Sequence, residues 1–342
     1  MSLTVLELKN NDSSRWDAFV EKSDDSTFFH RAGWKIVLEE AYGHKVHFLY
    51  AEREGLIEGI LPLAQVKSLL FGNNLVSLPF CVYCGVVADN KEATDALIEA
   101  ACKLADGLKV DSLELRNSKC SGRNWPEKSL YYTFRRSISE DNDANMSAIP
   151  RKRRAMIRQG IKNGLLSESD DGWERVYNTY AESVRNLGTP VFSAKYFRTL
   201  REVFKSDCRV LMITHEGQDV AGLMSFYFKD QVLPYYAGSY ESAKSHKAHD
   251  FMYWELMRRS SEEGIKLFDF GRSKADTGPY LFKKGWGFEP EPLHYEYYLV
   301  KADAIPELNP NNPKYKFFID VWKKLPLPVA NRLGPLLSRS LG

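Results

Sequence analysis

The chain has 342 residues, and its shortages are informative. Net charge is the first. Forty-seven Lys and Arg stand against 45 Asp and Glu, a formal balance of +2. No strong global field follows, so an anionic partner must be held by a local patch, and DNA is not expected as one. Cysteine is the second. Five cysteines cannot all pair within one chain, and Cys81, Cys84, Cys102, Cys120 and Cys208 lack the spacing of a disulfide framework. That pattern fits a reducing compartment. Residues 1–11 lack the basic start and apolar stretch of a secretory signal, so the expectation is a soluble, cytoplasmic protein. Long apolar runs are the third. The stretch Ser68 to Ala88 is uncharged, but Gly72, Asn73, Asn74, Pro79 and Gly85 interrupt it, which suits strands and turns and not a lipid-buried helix. No P-loop, dinucleotide fingerprint or nucleophile elbow is present. The pair Cys81 and Cys84 lies in a strand pattern without a βαβ redox setting, so buried structural thiols are expected.

What is present is a repeat. Residues 51–63 (AEREGLIEGILPL) and 213–226 (ITHEGQDVAGLMSF) each read as strand, charged turn and strand. The turn glycines Gly55 and Gly217 are 162 positions apart, and Gly59 and Gly222 are 163 apart. Upstream, Phe29 and Trp34 match Phe192 and Phe197, each pair heading a helical pattern. Downstream, Leu78-Pro79-Phe80 matches Leu233-Pro234-Tyr235, and Gly85 matches Gly238. An amphipathic helix from Glu92 to Asp106 has its counterpart at Asp250 to Glu263. Strands 112–116 and 266–270 follow. The order helix, hairpin, strand, helix, strand therefore occurs twice. It predicts an α/β fold of two tandem units, 1–138 and 166–301, with a basic connecting helix at 139–165 and an aromatic, basic tail at 302–342.

This unit resembles the GNAT acyltransferase fold. Two of them joined by a basic helix resemble the FemAB/FemX family of peptidyl and aminoacyl transferases, closest to the FemAB-like proteins associated with the exosortase/PEP-CTERM and exopolysaccharide systems. The stretches that carry the resemblance are 75–83 (LVSLPFCVY), 149–154 (IPRKRR), 268–273 (FDFGRS), 282–287 (FKKGWG) and 290–297 (PEPLHYEY). It implies acyl or aminoacyl transfer to an amine, with a charged tRNA as donor and a nucleotide-linked cell-wall precursor as acceptor in the better-known relatives. Coiled-coil heptads, which would build the helical arm of those relatives, are missing here, which weakens the case for a tRNA donor. A typical CoA-binding GNAT carries a Gly-rich turn opening a helix. The matching stretches here, 241–249 and 89–92, have no glycine. Acetyl-CoA is therefore not expected, and no cofactor is assigned.

Candidate site residues follow. Arg151, Arg154, Arg158 and Lys162 are spaced three, four and four apart and form one helical stripe, with Ala155, Ile157 and Ile161 supplying the apolar side. The stripe would hold phosphates, or it is a solvated face. Gly271, Arg272 and Ser273 follow a strand, where sites in α/β sheets lie. A buried Asp269–Arg272 pair stabilising a turn is the structural alternative. Lys283 lies in sequence among Phe282, Trp286 and Phe288, so it is either a surface lysine whose apolar stem snorkels or, facing in, a partly desolvated amine. Facing in, it stabilises an oxyanion or donor phosphate, or acts as a base. The resemblance places Lys283 at the reaction centre. Tyr240 and Tyr280 are expected on the wall of an acceptor groove. His246 and His249 lack a third ligand of matching spacing, so no metal is assigned.

The tail mixes Tyr315, Phe317, Phe318, Trp322, Leu333, Leu336 and Leu337 with six Lys and Arg. It either packs on the units or rests on a membrane near lipid-linked precursors. The functional expectation is amide formation on an amine of an envelope or exopolysaccharide precursor, the donor being an aminoacyl-tRNA or another acyl carrier. A binding module for a nucleotide-sugar or partner, built from a degenerate GNAT pair, and an acyl-CoA- or acyl-carrier-dependent N-acyltransferase are the rivals.

Overall fold

The computed structural model describes residues 2–9, 12–68, 72–305 and 313–340. Two compact units emerge. One comprises residues 1–131, 292–308 and 339–342; the other comprises 132–291 and 309–338.

In the first unit, strands Lys45–Arg53 and Leu56–Ser68 form a hairpin turned by Glu54 and Gly55, both left-handed with φ of 52° and 78°. In the second, Cys208–His215 and Gln218–Phe228 are turned by Glu216 and Gly217 with φ of 51° and 77°. Two successive left-handed residues give a turn whose twist matches the flanking strands. The repeat extends to register. Pairing steps from Ala51↔Gly59 to Glu52↔Ile57 in one hairpin and from Ile213↔Ala221 to Thr214↔Asp219 in the other. One extra residue therefore bulges at the same place in each, Glu58 and Val220. A short outer strand repeats too. Thr4 faces Glu52, and Leu166 faces Thr214.

Each unit then adds an antiparallel strand (Gly72–Val76; Gln231–Ser239), a helix (Lys91–Leu108; Ala248–Glu262) and a parallel strand (Ser112–Asn117; Leu267–Asp269). The two sheets thus share one strand order, as the duplication requires. In the first unit Leu97 and Ala101 on the helix pack with Leu61, Leu63, Leu75 and Leu113. In the second, Phe251 and Met257 pack with Ile213, Leu223 and Phe268. Gly238 allows a close approach, since a Cβ there would stand 2.3 Å from the Tyr180 Cα. One sequence match does not persist as structure. Leu233 to Tyr235 lie inside a strand, while Leu78 and Phe80 form an irregular turn with φ of 57° and 66°.

Near one edge each sheet takes a strand from the other half of the chain, with at least one short strand beyond it. Tyr131–Ser137 pairs antiparallel with Leu267–Asp269, and His294–Leu299 pairs antiparallel with Ser112–Asn117. The sequence expectation ran the first unit to 138 and the second to 301; the chain instead crosses at 131/132 and returns at 291/292. Alternation identifies a strand, but nothing local says which sheet edge it joins. The basic segment is likewise no free connector. It folds as helices Asn142–Ala148 and Arg151–Lys162 within the second unit. Helices Pro313–Lys323 and Leu327–Ser338 of the tail pack on helix Glu174–Leu187 of that unit. Residues 306–312, part of the expected tail, lie outside the described residues. Among the described residues no helix is long and apolar enough to cross a membrane.

Candidate active site

Seven sequence candidates, Arg154, Arg158, Tyr240, Arg272, Ser273, Tyr280 and Lys283, fall in the second unit. Four gather where strand Leu267–Asp269 ends. Phe268, Asp269 and Phe270 are all buried, so alternation does not expose Asp269; the sheet is covered on both faces. The Asp269 carboxylate accepts the Gly271 N–H at 2.7 Å and the Thr133 hydroxyl at 3.1 Å. Thr133 comes from the exchanged strand. Gly271 has φ of 67°, the left-handed conformation that lets the chain turn here.

Lys283 closes the same loop from above. It lies on helix Gly278–Gly285, which has Pro279 in its first turn. Its Nζ donates to the Gly271 carbonyl at 2.9 Å and to the Arg272 carbonyl at 3.1 Å. An ammonium has three N–H groups, so one remains. Only 9% of the residue is exposed. Burial lowers its pKa from 10.5 to about 7, with Asp269 opposing the shift and Arg272 adding to it. A charge that costs this much to bury and is still held by two carbonyls marks a candidate functional group. The aromatic neighbour differs from the sequence expectation. Lys283 Nζ sits 5.6 Å from the Phe134 ring, against which Tyr280 packs edge-on at 5.2 Å. Trp286 and Phe288 instead pack around Phe270, at 5.8 and 4.6 Å, and Phe282 lies under Arg153 at 4.4 Å. A helix turns a residue's immediate neighbours to other faces. Ser273 is 5% exposed, and its Oγ has no hydrogen-bond partner among the described residues.

The basic helix divides differently from the stripe expected. Its buried residues are Ile157 and Gly160, while Ile161 is 52% exposed and Ala155 is exposed. A Cβ at Gly160 would meet the Phe251 Cβ at 2.9 Å, so this face is chosen by close helix packing. Arg153, four residues before Ile157, is the inward arginine. It bonds Asp250 at 3.3 Å, and Asp250 also accepts the Trp286 indole N–H at 3.0 Å. Burial raises the Asp250 pKa. The sequence reading missed this trio, although the spacing 153, 157, 160 carried the signal. Arg151, Lys152, Arg154, Arg158 and Lys162 form no ion pair among the described residues. Arg158 is exposed; Arg154 is half-buried, with its Nε buried and without a hydrogen-bond partner among the described residues. Four cations in the first turn of a helix oppose its dipole, and the turn has no acid to offset them.

Tyr240 follows strand Gln231–Ser239 and donates its backbone N–H to Val220, with no described bond to the Lys283 cluster. Beside it the Ser239 hydroxyl meets His249 Nε2 at 2.8 Å, and burial lowers the His249 pKa. His246 instead lies against His215, with ring centroids 3.9 Å apart.

The first unit carries a small cleft of about 80 Å³ that the sequence reading missed, lined by Thr27, His30, Tyr83, Gly85, Arg116 and Asn117 among others. Its polar groups are largely spent on one another. His30 bonds Gly85 at 3.0 Å and accepts the Thr27 N–H at 3.0 Å, and Arg116 donates to Glu114, Leu78 and Cys81. Cys120, Glu127 and His294 bring potential metal-ligand atoms within 4.8 Å of one another, but His294 and Glu127 are already bonded at 2.8 Å. Cys81 and Cys84 are buried and free, and burial raises both thiol pKa values.

Residues 146–284 match the Acetyltransferase (GNAT) domain family. No curated protein sequence matches the chain. Among solved structures the chain is similar to FemX, with 15% identity and a TM-score of 0.68 over 92% of this chain and 100% of that one. It is similar to the C-terminal domain of a putative lysylphosphatidylglycerol synthetase from Agrobacterium fabrum, at 13% identity and TM-score 0.58, covering 84% and 91%. A tandem GNAT protein from the clavulanic acid biosynthesis pathway matches at 13% identity and TM-score 0.55, covering 89% and 100%. At these identities the likeness is one of fold: two GNAT-like units in tandem, the arrangement FemX shares.

Proposed function

We propose that the protein is an acyl or aminoacyl transferase that forms an amide on an amine of an envelope or exopolysaccharide precursor, with Lys283 at the reaction centre. One observation carries this reading. Lys283 is a buried lysine with two N–H groups fixed by carbonyls and, in its protonated form, a third unspent, beside a strand end in a GNAT fold. That third N–H would meet the oxyanion formed as the acceptor amine adds to the donor carbonyl. The ester or thioester bond of the donor then breaks, and the hydroxyl or thiol of the carrier departs with a proton that replaces, through solvent, the one the amine has lost. The orphaned Ser273 hydroxyl and Arg154 Nε are supporting features, since buried polar atoms normally have partners and a bound substrate would supply them. The unpaired cations of helix Arg151–Lys162 suit the phosphates of a nucleotide- or lipid-linked acceptor.

A thioester donor is the second reading, favoured by the GNAT match over 146–284. The segment 240–247 contains no glycine, which disfavours acetyl-CoA itself. The test supplies aminoacyl-tRNA, an acyl-carrier thioester and acetyl-CoA in turn, with a nucleotide-linked precursor bearing a primary amine. Amide formation with aminoacyl-tRNA or the carrier, and none with acetyl-CoA, is expected. Turnover with none of the three, while the precursor still binds, would make the protein a binding module.

A further inference from the structure

Helix Leu327–Ser338 faces the wrong way for an ordinary surface helix. Its buried residues are Ala330, Gly334 and Ser338. Its large apolar residues Val329, Leu333 and Leu336 are 41%, 42% and 71% exposed. At 3.6 residues per turn these three lie within about 60° of arc, a single outward stripe. The inward face is already filled. A Cβ at Gly334 would stand 2.8 Å from the Val191 side chain, so the helix cannot roll its leucines inward without losing that fit. The preceding helix behaves alike. Trp322 is buried and Phe318 stacks on it at 5.3 Å, yet Phe318 and Val321 are 37% and 44% exposed. Five of the twelve large apolar residues exposed in the described chain therefore fall within residues 318–338. Scattered single apolar residues need no explanation; this concentration does.

Charge identifies the occupant. Residues 313–342 contain four Lys and two Arg against Asp320 alone, a net +5. The whole chain is +2, so residues 1–312 total −3. Lys323, Lys324 and Arg332 are exposed, and Arg332 borders the apolar stripe. Apolar side chains edged by cations complement an anionic lipid surface, where the stripe enters the acyl boundary and the cations reach the phosphates.

We propose that the helix pair Pro313–Lys323 and Leu327–Ser338 docks the protein on an anionic membrane surface, through Val329, Leu333 and Leu336 with Lys323, Lys324 and Arg332. The proposal does not depend on the transferase reading. The test floats the full chain with vesicles of phosphatidylcholine and with vesicles of equal parts phosphatidylcholine and phosphatidylglycerol. Binding should favour the mixed vesicles by about tenfold or more and weaken as salt rises. The double variant Leu333→Ser, Leu336→Ser should lose about tenfold in partitioning with an unchanged melting temperature, since both residues are exposed. Lys323→Glu with Lys324→Glu should erase the lipid preference. Equal or no binding to the two vesicle types would overturn the proposal. So would a dimer in solution that the leucine variant dissociates, which would make the stripe a protein interface.

Discussion

The Nζ of Lys283 lies 2.9 Å from the carbonyl oxygen of Gly271, while the N–H of Gly271 is 2.7 Å from the carboxylate of Asp269. One left-handed glycine is thus held from both sides by buried groups of opposite charge. The relationship makes Lys283 structural and available at once. It fixes the strand-end loop and keeps one N–H for a substrate.

Lys283→Met should abolish transfer and leave the fold intact. It should also change how stability depends on pH. The folded-state pKa is lowered from 10.5 to about 7. Between those values the unfolded chain holds a proton that the folded chain has shed, so wild-type stability rises with pH across the window. Below about pH 7 the cost of burying the charge is present in full. Urea unfolding should show the wild type gaining up to about 2 kcal/mol on the variant between pH 7 and 9, one pKa unit being about 1.4 kcal/mol. A difference that stays flat with pH would mean that the amine is not desolvated.

Arg153 and Arg154 are neighbours with opposite assignments. Arg153→Ala removes a half-buried ion pair and leaves Asp250 with the Trp286 N–H as its remaining side-chain donor. It should cost about 1–3 kcal/mol in thermal or urea unfolding. Arg154→Ala should leave stability unchanged and weaken binding of a nucleotide-linked precursor by about 1.5–3 kcal/mol, more at low salt than at high. Calorimetric titration of both variants tests this. Equal stability losses would remove Arg154 from the site.

The exchanged strands predict a fragment phenotype. Residues 1–138 without His294–Leu299 leave one edge of Ser112–Asn117 unpaired. Such an edge invites aggregation. The fragment should remain largely unfolded or aggregate by circular dichroism and light scattering, and a peptide spanning 290–301 should restore soluble structure. Cooperative unfolding of the fragment alone would show that the strand is dispensable.

Acid should loosen the first unit through two buried histidines. Burial lowers His30 and His44 from 6.5 to about 4, and each is bonded to a backbone carbonyl, Gly85 or Arg339. Between about pH 6.5 and 4 the unfolded chain binds protons that these folded imidazoles refuse, so stability falls as pH falls through that window. The loss by pH 5 should be up to about 2 kcal/mol for each histidine. His30→Gln should flatten part of this slope while lowering stability at pH 7, as read from denaturant midpoints. An unchanged slope would place the proton uptake elsewhere.

The tandem units were legible in the sequence because their signals are local. The Glu-Gly turns at 54–55 and 216–217 fix hairpin geometry within four residues, and one offset then reproduces register and bulge alike. The placement of Arg272 and Ser273 just after a strand was legible for the same reason, whereas Lys283, on helix Gly278–Gly285, was singled out by the family resemblance and not by a local signal. Only the tertiary structure decided the partners. Phe134 and Thr133 reach Lys283 and Asp269 from a strand more than 130 residues earlier, and that pairing is set by which sheet edge is open. Arg153 was preferred over Arg154 because Gly160 allows the helix against Phe251, a fit between side chains that charge spacing cannot report. The outward leucines of the tail follow from the same cause. Periodicity marks an apolar stripe, but the shape of the surface beneath it decides whether that stripe or the small-residue face is buried.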